Sequence, residues 1–237
     1  MAIFVCGDTH GRYDLHKLTT QAWKEQRELT ENDFLIILGD TGILWSNDPF
    51  NKDDDNLIDW HSSSRYTTII LDGNHDNLPR WRQFPVVDFH NAKAHQLRKN
   101  VFHIERGEVF ELENRTFFAM GGGFSIDKNR RIDGITWWKE EMPNFTEMKF
   151  GMDQLLAMNC KVDFILTHTC SHRSFNKIAE KFDMKHKIEG EESLRDFFEW
   201  IENNVDFDEW HFGHFHDDFE LDEKHFLHYN NKPRRIV

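Results

Sequence analysis

The stretch "TTIILDGNHDN" (residues 67–77) joins a short apolar run to a polar cluster that contains a histidine. A tight turn explains the glycine and one asparagine, but it does not explain His75. The apolar run is short, rich in β-branched residues and bounded by polar residues, so it predicts a strand that is buried on both faces. The stretch therefore predicts a buried strand that ends in a functional loop.

Four other apolar runs end in the same way. They are "AIFVC" before Gly7-Asp8, "FLIIL" before Gly39-Asp40, "VDFILT" before His168 and "EWHF" before Gly213-His214. Residues 14–28 and 192–204 lie between such runs and have the apolar spacing of helices. Strands that alternate with helices predict a layered α/β architecture, in which sites lie beyond the carboxyl ends of the strands. We therefore expect the five polar clusters to meet.

The middle of the chain has a different pattern. The runs "VFHI", "EVFEL" and "TFFAM" within residues 101–120 are separated by charged turns and predict an antiparallel meander, hence a second, mixed sheet. Residues 124–150 interrupt the pattern with aromatic and charged residues, which predicts an insertion or lid. No linker composition divides the chain, so we expect a single domain over residues 1–237. The final "NKPRRIV" predicts a frayed tail.

Composition limits the classes of function. The net charge is −13, whereas proteins that bind long nucleic acid normally present a basic surface. No apolar run approaches the roughly 18 residues of a membrane span, and the N-terminus lacks the pattern of a signal peptide. Three cysteines without a paired spacing suit a reducing compartment. We expect a cytoplasmic protein that has no membrane or long nucleic-acid partner.

The strand ends carry side chains that bind metals. Seven of them are candidate ligands: Asp8, His10, Asp40, Asn74, His168, His214 and His216. Carboxylate, amide and imidazole groups together suit borderline divalent metals such as Mn, Fe, Co or Zn. Alternation within 8–10 and 214–216 would point two side chains of one extended segment the same way. Each residue alone has an ordinary structural explanation, but the joint pattern favours a metal site, and sites with two ions roughly 3.5–4 Å apart catalyse in-line displacement at phosphorus.

The motifs also have a family resemblance. The series Gly-Asp-Thr-His-Gly (7–11), Gly-Asp (39–40), Gly-Asn-His-Asp (73–76), His168 and Gly-His-Phe-His (213–216) resembles the calcineurin-like metallophosphoesterase superfamily. The resemblance spans residues 7–216. It implies a four-layer α/β/β/α sandwich, in which two mixed sheets are flanked by helices and a dinuclear metal site lies between their loops.

The resemblance implies a role for each motif residue. Asp8, His10 and His216 would hold one metal ion, Asn74, His168 and His214 would hold the other, and Asp40 would bridge them. The expected cofactors are two divalent ions, with Mn favoured and Fe, Zn, Co or Ni as alternatives, and a metal-bridging hydroxide would be the nucleophile. His75 would act on the leaving group, and Asp76 is the adjacent carboxylate that could hold its proton.

One departure from the motifs of this superfamily narrows the type of enzyme expected. Protein Ser/Thr phosphatases of this superfamily extend the second motif with Asp-Arg-Gly, whereas this chain has Ile43 where that Asp would be and no Arg after it. The departure favours a generic bacterial or phage-type member and leaves Asp48 as another candidate partner for His75. Arg12, Arg130 and Arg131 are candidate phosphate-binding residues.

These observations predict a hydrolase, a metal-dependent phosphodiesterase or phosphatase that acts on small, nucleotide-like phosphate esters. Two alternatives remain. One is a Ser/Thr protein phosphatase, and the other is a non-catalytic binding scaffold that keeps the same fold.

Overall fold

The structure is a computed structural model that describes residues 1–182 and 190–237. Its strands are β1 (Ile3–Cys6), β2 (Phe34–Leu38), β3 (Thr67–Leu71), β4 (Val86–Phe89), β5 (Ala92–Arg98), β6 (Val101–Ile104), β7 (Val109–Leu112), β8 (Arg115–Met120), β9 (Phe164–Thr167), β10 (Glu209–Phe212), β11 (Phe219–Glu220), β12 (His225–Leu227) and β13 (Arg234–Arg235). Its α-helices are α1 (Lys52–Ser62), α2 (Leu78–Trp81), α3 (Phe145–Ala157), α4 (His172–Lys181) and α5 (Glu192–Asn204).

The strands form two mixed sheets. The first has the order β13-β1-β2-β3-β6-β5-β4, and its central strands β1, β2, β3 and β6 run parallel. The second has the order β11-β12-β10-β9-β8-β7, with parallel pairing from β12 to β8 and antiparallel edges. Buried parallel strands explain the continuous apolar runs in the sequence, because both faces of such strands are covered.

The hydrophobic core has three layers, one between the sheets and one on the outer face of each sheet. Between the sheets, Phe117 stacks on Phe110 and Phe164 with ring centroids 5.1 and 4.8 Å apart. Trp23 packs on the outer face of the first sheet, and Phe198 of α5 packs on the outer face of the second. The layers therefore follow the expected α/β/β/α order, and this confirms the fold class.

Three local expectations were wrong. Residues 14–28 do not form one helix but two short 3₁₀ segments, Leu15–Leu18 and Lys24–Glu28. Thr19 adopts an extended backbone conformation and accepts hydrogen bonds from the next turn, which ends the first segment. Leu18 and Trp23 are nevertheless fully buried. The apolar spacing therefore indicated which side chains are buried, but not a regular helix.

The other two differences concern strand pairing. The run "VFHI" forms β6, which pairs in parallel with β3 in the first sheet, so only β7 and β8 form the expected hairpin of the second sheet. A local apolar pattern does not specify which sheet a buried strand joins. The C-terminal tail is also ordered, since β13 pairs antiparallel with β1 and the Ile236 N–H donates to the Ile3 carbonyl at 2.9 Å.

The two sheets bring the polar strand ends face to face. The loops after β1, β2 and β3 meet the loops after β9 and β10, and the Gly213 N–H donates to the His168 carbonyl at 2.9 Å. None of the helices in residues 1–182 and 190–237 has the length and apolar character needed to cross a membrane.

Candidate metal centre

Glycines allow these loops to approach closely. Gly39 has φ +96°, and a Cβ there would lie 2.3 Å from His168 Nδ1. A Cβ on Gly73 would lie 2.1 Å from Asp40 Oδ1. Side chains at either position would push the loops apart, which explains why a glycine directly precedes Asp40 and Asn74.

Four side chains form a compact group that could hold a metal ion. Asp8, His10, Asp40 and His216 each offer one ligand atom, and these atoms lie within 4.8 Å of one another. Both carboxylates are buried, at 0 and 1% exposure. His216 Nε2 lies 3.3 Å from Asp8 Oδ2, and His10 Nε2 lies 3.6 Å from Asp40 Oδ2.

A second group lies on the other side of Asp40. His168 Nε2 is 3.4 Å from Asp40 Oδ1 and 3.1 Å from Asn74 Oδ1. The rings of His168 and His214 are 5.0 Å apart. The two oxygens of Asp40 thus face two different sets of side chains, and all seven residues that the sequence singled out as ligands lie around one point.

Electrostatic coupling between these groups is strong. Burial by itself would raise the pKa of the Asp40 carboxyl, but His168 and His10 hold that pKa well below its usual value. Burial would lower the pKa of both imidazoles, yet the facing carboxylates raise the pKa of His168 to about 10 and that of His10 to about 9. In contrast, burial lowers the pKa of His214 to about 4. Anionic oxygens at the centre therefore attract positive charge.

The residues fit a divalent cation. Asp8 Oδ2 is buried and has no hydrogen-bond donor in the described part of the chain, although His216 Nε2 lies 3.3 Å away. A buried carboxylate oxygen without a partner is costly unless a cation or donor compensates it. Carboxylate, imidazole and amide groups at such distances are a donor set for borderline divalent metals.

Outer residues orient two of the imidazoles. His10 Nδ1 is hydrogen-bonded to Asp14 Oδ2 at 2.7 Å, and His168 Nδ1 donates to the Leu38 carbonyl at 2.7 Å. The Nε2 atom of each ring consequently faces Asp40. This is the usual arrangement of histidine ligands, in which the other ring nitrogen is held by an oxygen acceptor. No pattern in the sequence indicated Asp14, which lies four residues after His10.

The side chains are not aimed by strand alternation, contrary to expectation. His10, His214 and His216 have φ values of 42, 72 and 53°, so they lie in left-handed turns rather than in extended segments. Such conformations are strained for residues other than glycine, and they commonly occur at functional sites. The turns point the imidazoles back toward the sheet ends.

His75 lies at the edge of this group. Its N–H donates to Asp40 Oδ1 at 2.8 Å, and its ring Nε2 is 3.9 Å from Asp40 Oδ2 and 3.4 Å from Arg131 Nη2. Burial lowers the pKa of His75, and the charge of Arg131 acts in the same direction. His75 thus faces the open space beside the ligands without joining either set.

The expected carboxylate partner of His75 requires a correction. The Asp76 carboxylate accepts hydrogen bonds from the Thr41 hydroxyl, the Gly42 N–H and the Gly73 N–H at 3.0, 3.0 and 2.8 Å. It therefore braces the two loops instead of holding the imidazole. Burial and the charge of Asp40 raise the pKa of Asp76 to about 6. Asp48, the other candidate partner, is exposed and accepts from the Phe50 N–H at 2.9 Å.

The three candidate arginines occupy different positions. Arg131 lies beside His75 and is held by Asp127 at 2.6 Å and by the Thr136 carbonyl at 3.0 Å. Arg12 is exposed and pairs with Asp53 at 3.2 Å. Arg130 is also exposed. The structure therefore brings Arg131, but neither of the other two, to the histidine.

Sequence reasoning missed Glu191, a fully buried carboxylate. Its Oε1 accepts from the Phe124 N–H at 2.9 Å and lies 3.8 Å from His214 Nε2. Its Oε2 accepts from the Arg195 guanidinium at 2.7 Å. Glu191 directly precedes α5 in the sequence, where an acidic residue is ordinary, so no local signal indicated its position.

A cavity of about 620 Å³ opens beside the ligands and is lined in part by Asp40, Asn74, His75, His214 and His216. This volume lies within the range of small-molecule sites. Asp40 lies within 4 Å of His168 and of His75, so a bound ligand would place its polar part beside these groups.

The comparison with known protein families agrees with the motifs. A family model described as calcineurin-like phosphoesterase matches residues 1–220. One solved structure, a protein of unknown function from Aquifex aeolicus, is 14% identical with a TM-score of 0.34, and the alignment covers 72% of this chain and 81% of that chain. No curated protein matches the chain.

Proposed function

The chain belongs to the calcineurin-like phosphoesterase family, and we propose that it hydrolyses phosphodiester or phosphomonoester bonds with two divalent metal ions. The observation that carries this proposal is the placement of Asp40. Its Oδ1 faces His168 and its Oδ2 faces His10, so one buried carboxylate serves two sets of ligands. The family match supports a metal-dependent phosphoesterase in general, and the number of ions and the type of ester are our proposal.

Each set of side chains would hold one ion. Asp8, His10 and His216 would hold the first, Asn74, His168 and His214 would hold the second, and Asp40 would contact both. When bound, the two cations would neutralise charge on the phosphoryl oxygens and lower the pKa of a water molecule toward neutrality. Mn²⁺ is the metal we would load first, since oxygen and nitrogen ligands of this kind accept it readily.

The protein would contribute a proton donor and a positive charge. His75 is placed to give the proton of its ring nitrogen to the leaving-group oxygen. Burial lowers the pKa of His75, which makes its protonated form a stronger acid and confines that form to acid pH. Arg131, 3.4 Å from that nitrogen, is placed to contact a phosphoryl oxygen through its guanidinium group. The Asp127 carboxylate would fix the direction of Arg131.

Substrate size follows from the cavity. A volume of about 620 Å³ accommodates a small molecule, and the net charge of −13 disfavours a long polyanion. Residues 124–150 reach the cavity through Phe124, Ile126 and Asp127, which supports the proposal that this insertion covers the substrate. A small, nucleotide-like ester in the cytoplasm is therefore the substrate class that we propose, and three unpaired cysteines are consistent with that location.

The test is turnover of two simple esters by the Mn²⁺-loaded protein. Bis(p-nitrophenyl) phosphate and p-nitrophenyl phosphate report diesterase and monoesterase activity, and a chelator should abolish either. His75→Ala should lower kcat by roughly 10²–10⁴-fold at unchanged metal content. His172→Ala is the matched control, because the His172 side chain is 39% exposed, pairs with Asp196 and does not line the cavity. A fully metallated wild-type protein that hydrolyses neither ester would contradict the proposal and favour a binding scaffold.

A further inference from the structure

The cavity beside the metal ligands is lined by two unlike sets of residues. One set carries the carboxylate, amide and imidazole groups described above. The other set is apolar and consists of Phe124, Ile126, Ile178, Phe182 and Phe215. We name these five residues the apolar wall. A site that needed to hold only inorganic phosphate would have no use for such a surface.

The wall is built on fixed elements. The Phe124 N–H donates to the buried Glu191 at 2.9 Å, and its ring lies directly against Gly190, where a Cβ would come within 2.5 Å of it. Ile178 belongs to α4 and is fully buried. Phe215 packs its ring against that of His214 at 4.9 Å, so the wall is continuous with the candidate ligands. These contacts hold the wall at a set distance from the metal centre.

Part of the wall is exposed to solvent. Ile126 is 75% exposed and Phe182 is 40% exposed, although both face a cavity beside a polar centre. Apolar surface at the edge of a concave polar site commonly marks the position of a ligand's apolar group. Rings are also favoured there, because Phe side chains offer flat faces on which another ring can stack.

The charged rim restricts the ligand further. Asp127 and Asp217 line the same cavity, and the Asp127 carboxylate is paired with Arg131 at 2.6 Å. The Asp217 carboxylate opposes a ligand that carries additional phosphates away from the metal centre. It does not oppose a neutral ring.

We propose that the apolar wall is a subsite for a neutral aromatic ring, and that the substrate is a phosphate ester whose organic group carries such a ring. This inference rests on the proposed function for the identity of the reacting group. The phosphate would lie at the metal centre, and the ring would lie against Phe182, Phe124 and Ile126. The subsite thus assigns the substrate class within the broad group of small phosphate esters.

The test uses two phosphonates that cannot be hydrolysed. Benzylphosphonate carries an aromatic ring and methylphosphonate does not, whereas their charged groups are alike. Calorimetric titration of the Mn²⁺-loaded protein should show tighter binding of benzylphosphonate. Phe182→Ala should raise the Kd of benzylphosphonate roughly tenfold, in line with the energy of ring stacking, and change that of methylphosphonate less than about twofold.

Matched controls separate the wall from general effects. Ile126→Ser should weaken benzylphosphonate binding about threefold, whereas Ile132→Ser, in the same insertion and 59% exposed but outside the cavity, should not. Phe145→Ala, which removes a ring that is 77% exposed elsewhere, should leave both Kd values unchanged. Because all four side chains are exposed, none of these variants should fail to fold.

The outcomes distinguish this inference from the proposed function. Equal binding of both phosphonates, or a Phe182→Ala effect of the same size on each, would overturn the aromatic subsite even if esters are hydrolysed. Selective loss of benzylphosphonate binding in Phe182→Ala would support the subsite even if no ester were turned over. In that case the subsite would stand and the hydrolytic function would fall.

Discussion

At the scale of single residues, Asp40 has the most demanding position. One oxygen accepts the His75 N–H and faces His168, and the other faces His10. Its φ of 48° places it in a left-handed turn, and the preceding Gly39 has a φ of 96°. The local backbone is strained and the buried carboxylate faces imidazoles on both sides, an arrangement in which a cation on either side would be stabilised.

Asp76 should behave as a structural brace. Asp76→Asn places an NH₂ group against N–H and O–H donors, so we expect the free energy of unfolding to fall by about 2–3 kcal/mol in urea titrations. The pH dependence of kcat should keep its shape, since Asp76 does not contact the His75 ring. Asp48→Asn, in an exposed part of the preceding loop, is the control and should change stability by less than about 0.5 kcal/mol. A shifted pH profile with unchanged stability would restore Asp76 as the partner of His75.

The candidate ligands could be selected from the sequence, because carboxylate, amide and imidazole groups follow strands whose ends must meet. The direction in which the Asp76 side chain points could not be predicted from the sequence. Its acceptor oxygens are occupied by Thr41 and Gly42, about 35 positions earlier in the chain, and only the folded loops reveal that contact. Glu191 was missed for the same reason, since its partner Phe124 lies 67 positions away.

At the scale of elements, α1 carries a buried histidine. His61 is fully buried and its Nδ1 has no hydrogen-bond partner within residues 1–182 and 190–237. Burial lowers the pKa of His61 to about 4, against 6.5 for the free side chain. The unfolded chain therefore takes up a proton at His61 below pH 6.5, whereas the folded chain does not until near pH 4. Protonation consequently favours unfolding as the pH falls.

Replacement of His61 should make the free energy of unfolding less dependent on pH below pH 6.5. As the pH falls from 6.5 to 5, the free energy of unfolding of the wild type should decrease by ~2 kcal/mol more than that of His61→Gln. Urea titrations of both proteins at half-unit pH steps measure the difference. Parallel stability curves for wild type and variant would show that His61 does not lose its proton on folding.

A buried ion pair joins three elements near the site. Arg106, between β6 and β7, donates to Asp72 at the end of β3 at 2.9 Å and to Glu147 in α3 at 3.2 Å. Arg106→Met leaves the Asp72 carboxylate buried with His103 as its remaining partner, so we expect a loss of about 3–5 kcal/mol. The double variant Asp72→Asn/Arg106→Met should lose less than the sum of the single changes, as measured by urea unfolding.

An exposed pair provides the comparison for this prediction. Arg115→Met breaks an ion pair with Asp163 in which the arginine is 48% exposed, so the loss should stay below about 1 kcal/mol. Equal losses for the two arginines would contradict a special role for the buried pair.

The existence of most elements followed from apolar runs, but their partners did not. The run at 101–104 has a burial pattern typical of any internal strand, and its pairing with β3 depends on contacts about 33 residues away. The spacing in residues 14–28 correctly marked Leu18 and Trp23 as buried, although an extended Thr19 divides the segment. Apolar spacing predicts which side chains face the core. Several backbone conformations can bury the same side chains, so the spacing does not specify a regular helix.

At the scale of the whole molecule, two sheets place their strand ends against one buried centre. The Phe117 stack holds the sheets together from within, and the loops of both sheets contribute candidate ligands at one edge. Two buried carboxylates repel each other there, and the protein as a whole carries a net charge of −13. Bound cations would remove that repulsion, so they would link the halves of the fold as well as serve the reaction.

Anomalous diffraction from crystals grown with Mn²⁺, measured at the manganese absorption edge, tests this account most directly. We expect two peaks roughly 3.5–4 Å apart, one beside Asp8, His10 and His216 and one beside Asn74, His168 and His214. Both should lie against Asp40, and Asp40→Asn should retain at most one of them. A well-ordered wild-type crystal with no peak among these side chains, or with manganese only on surface carboxylates, would contradict the account.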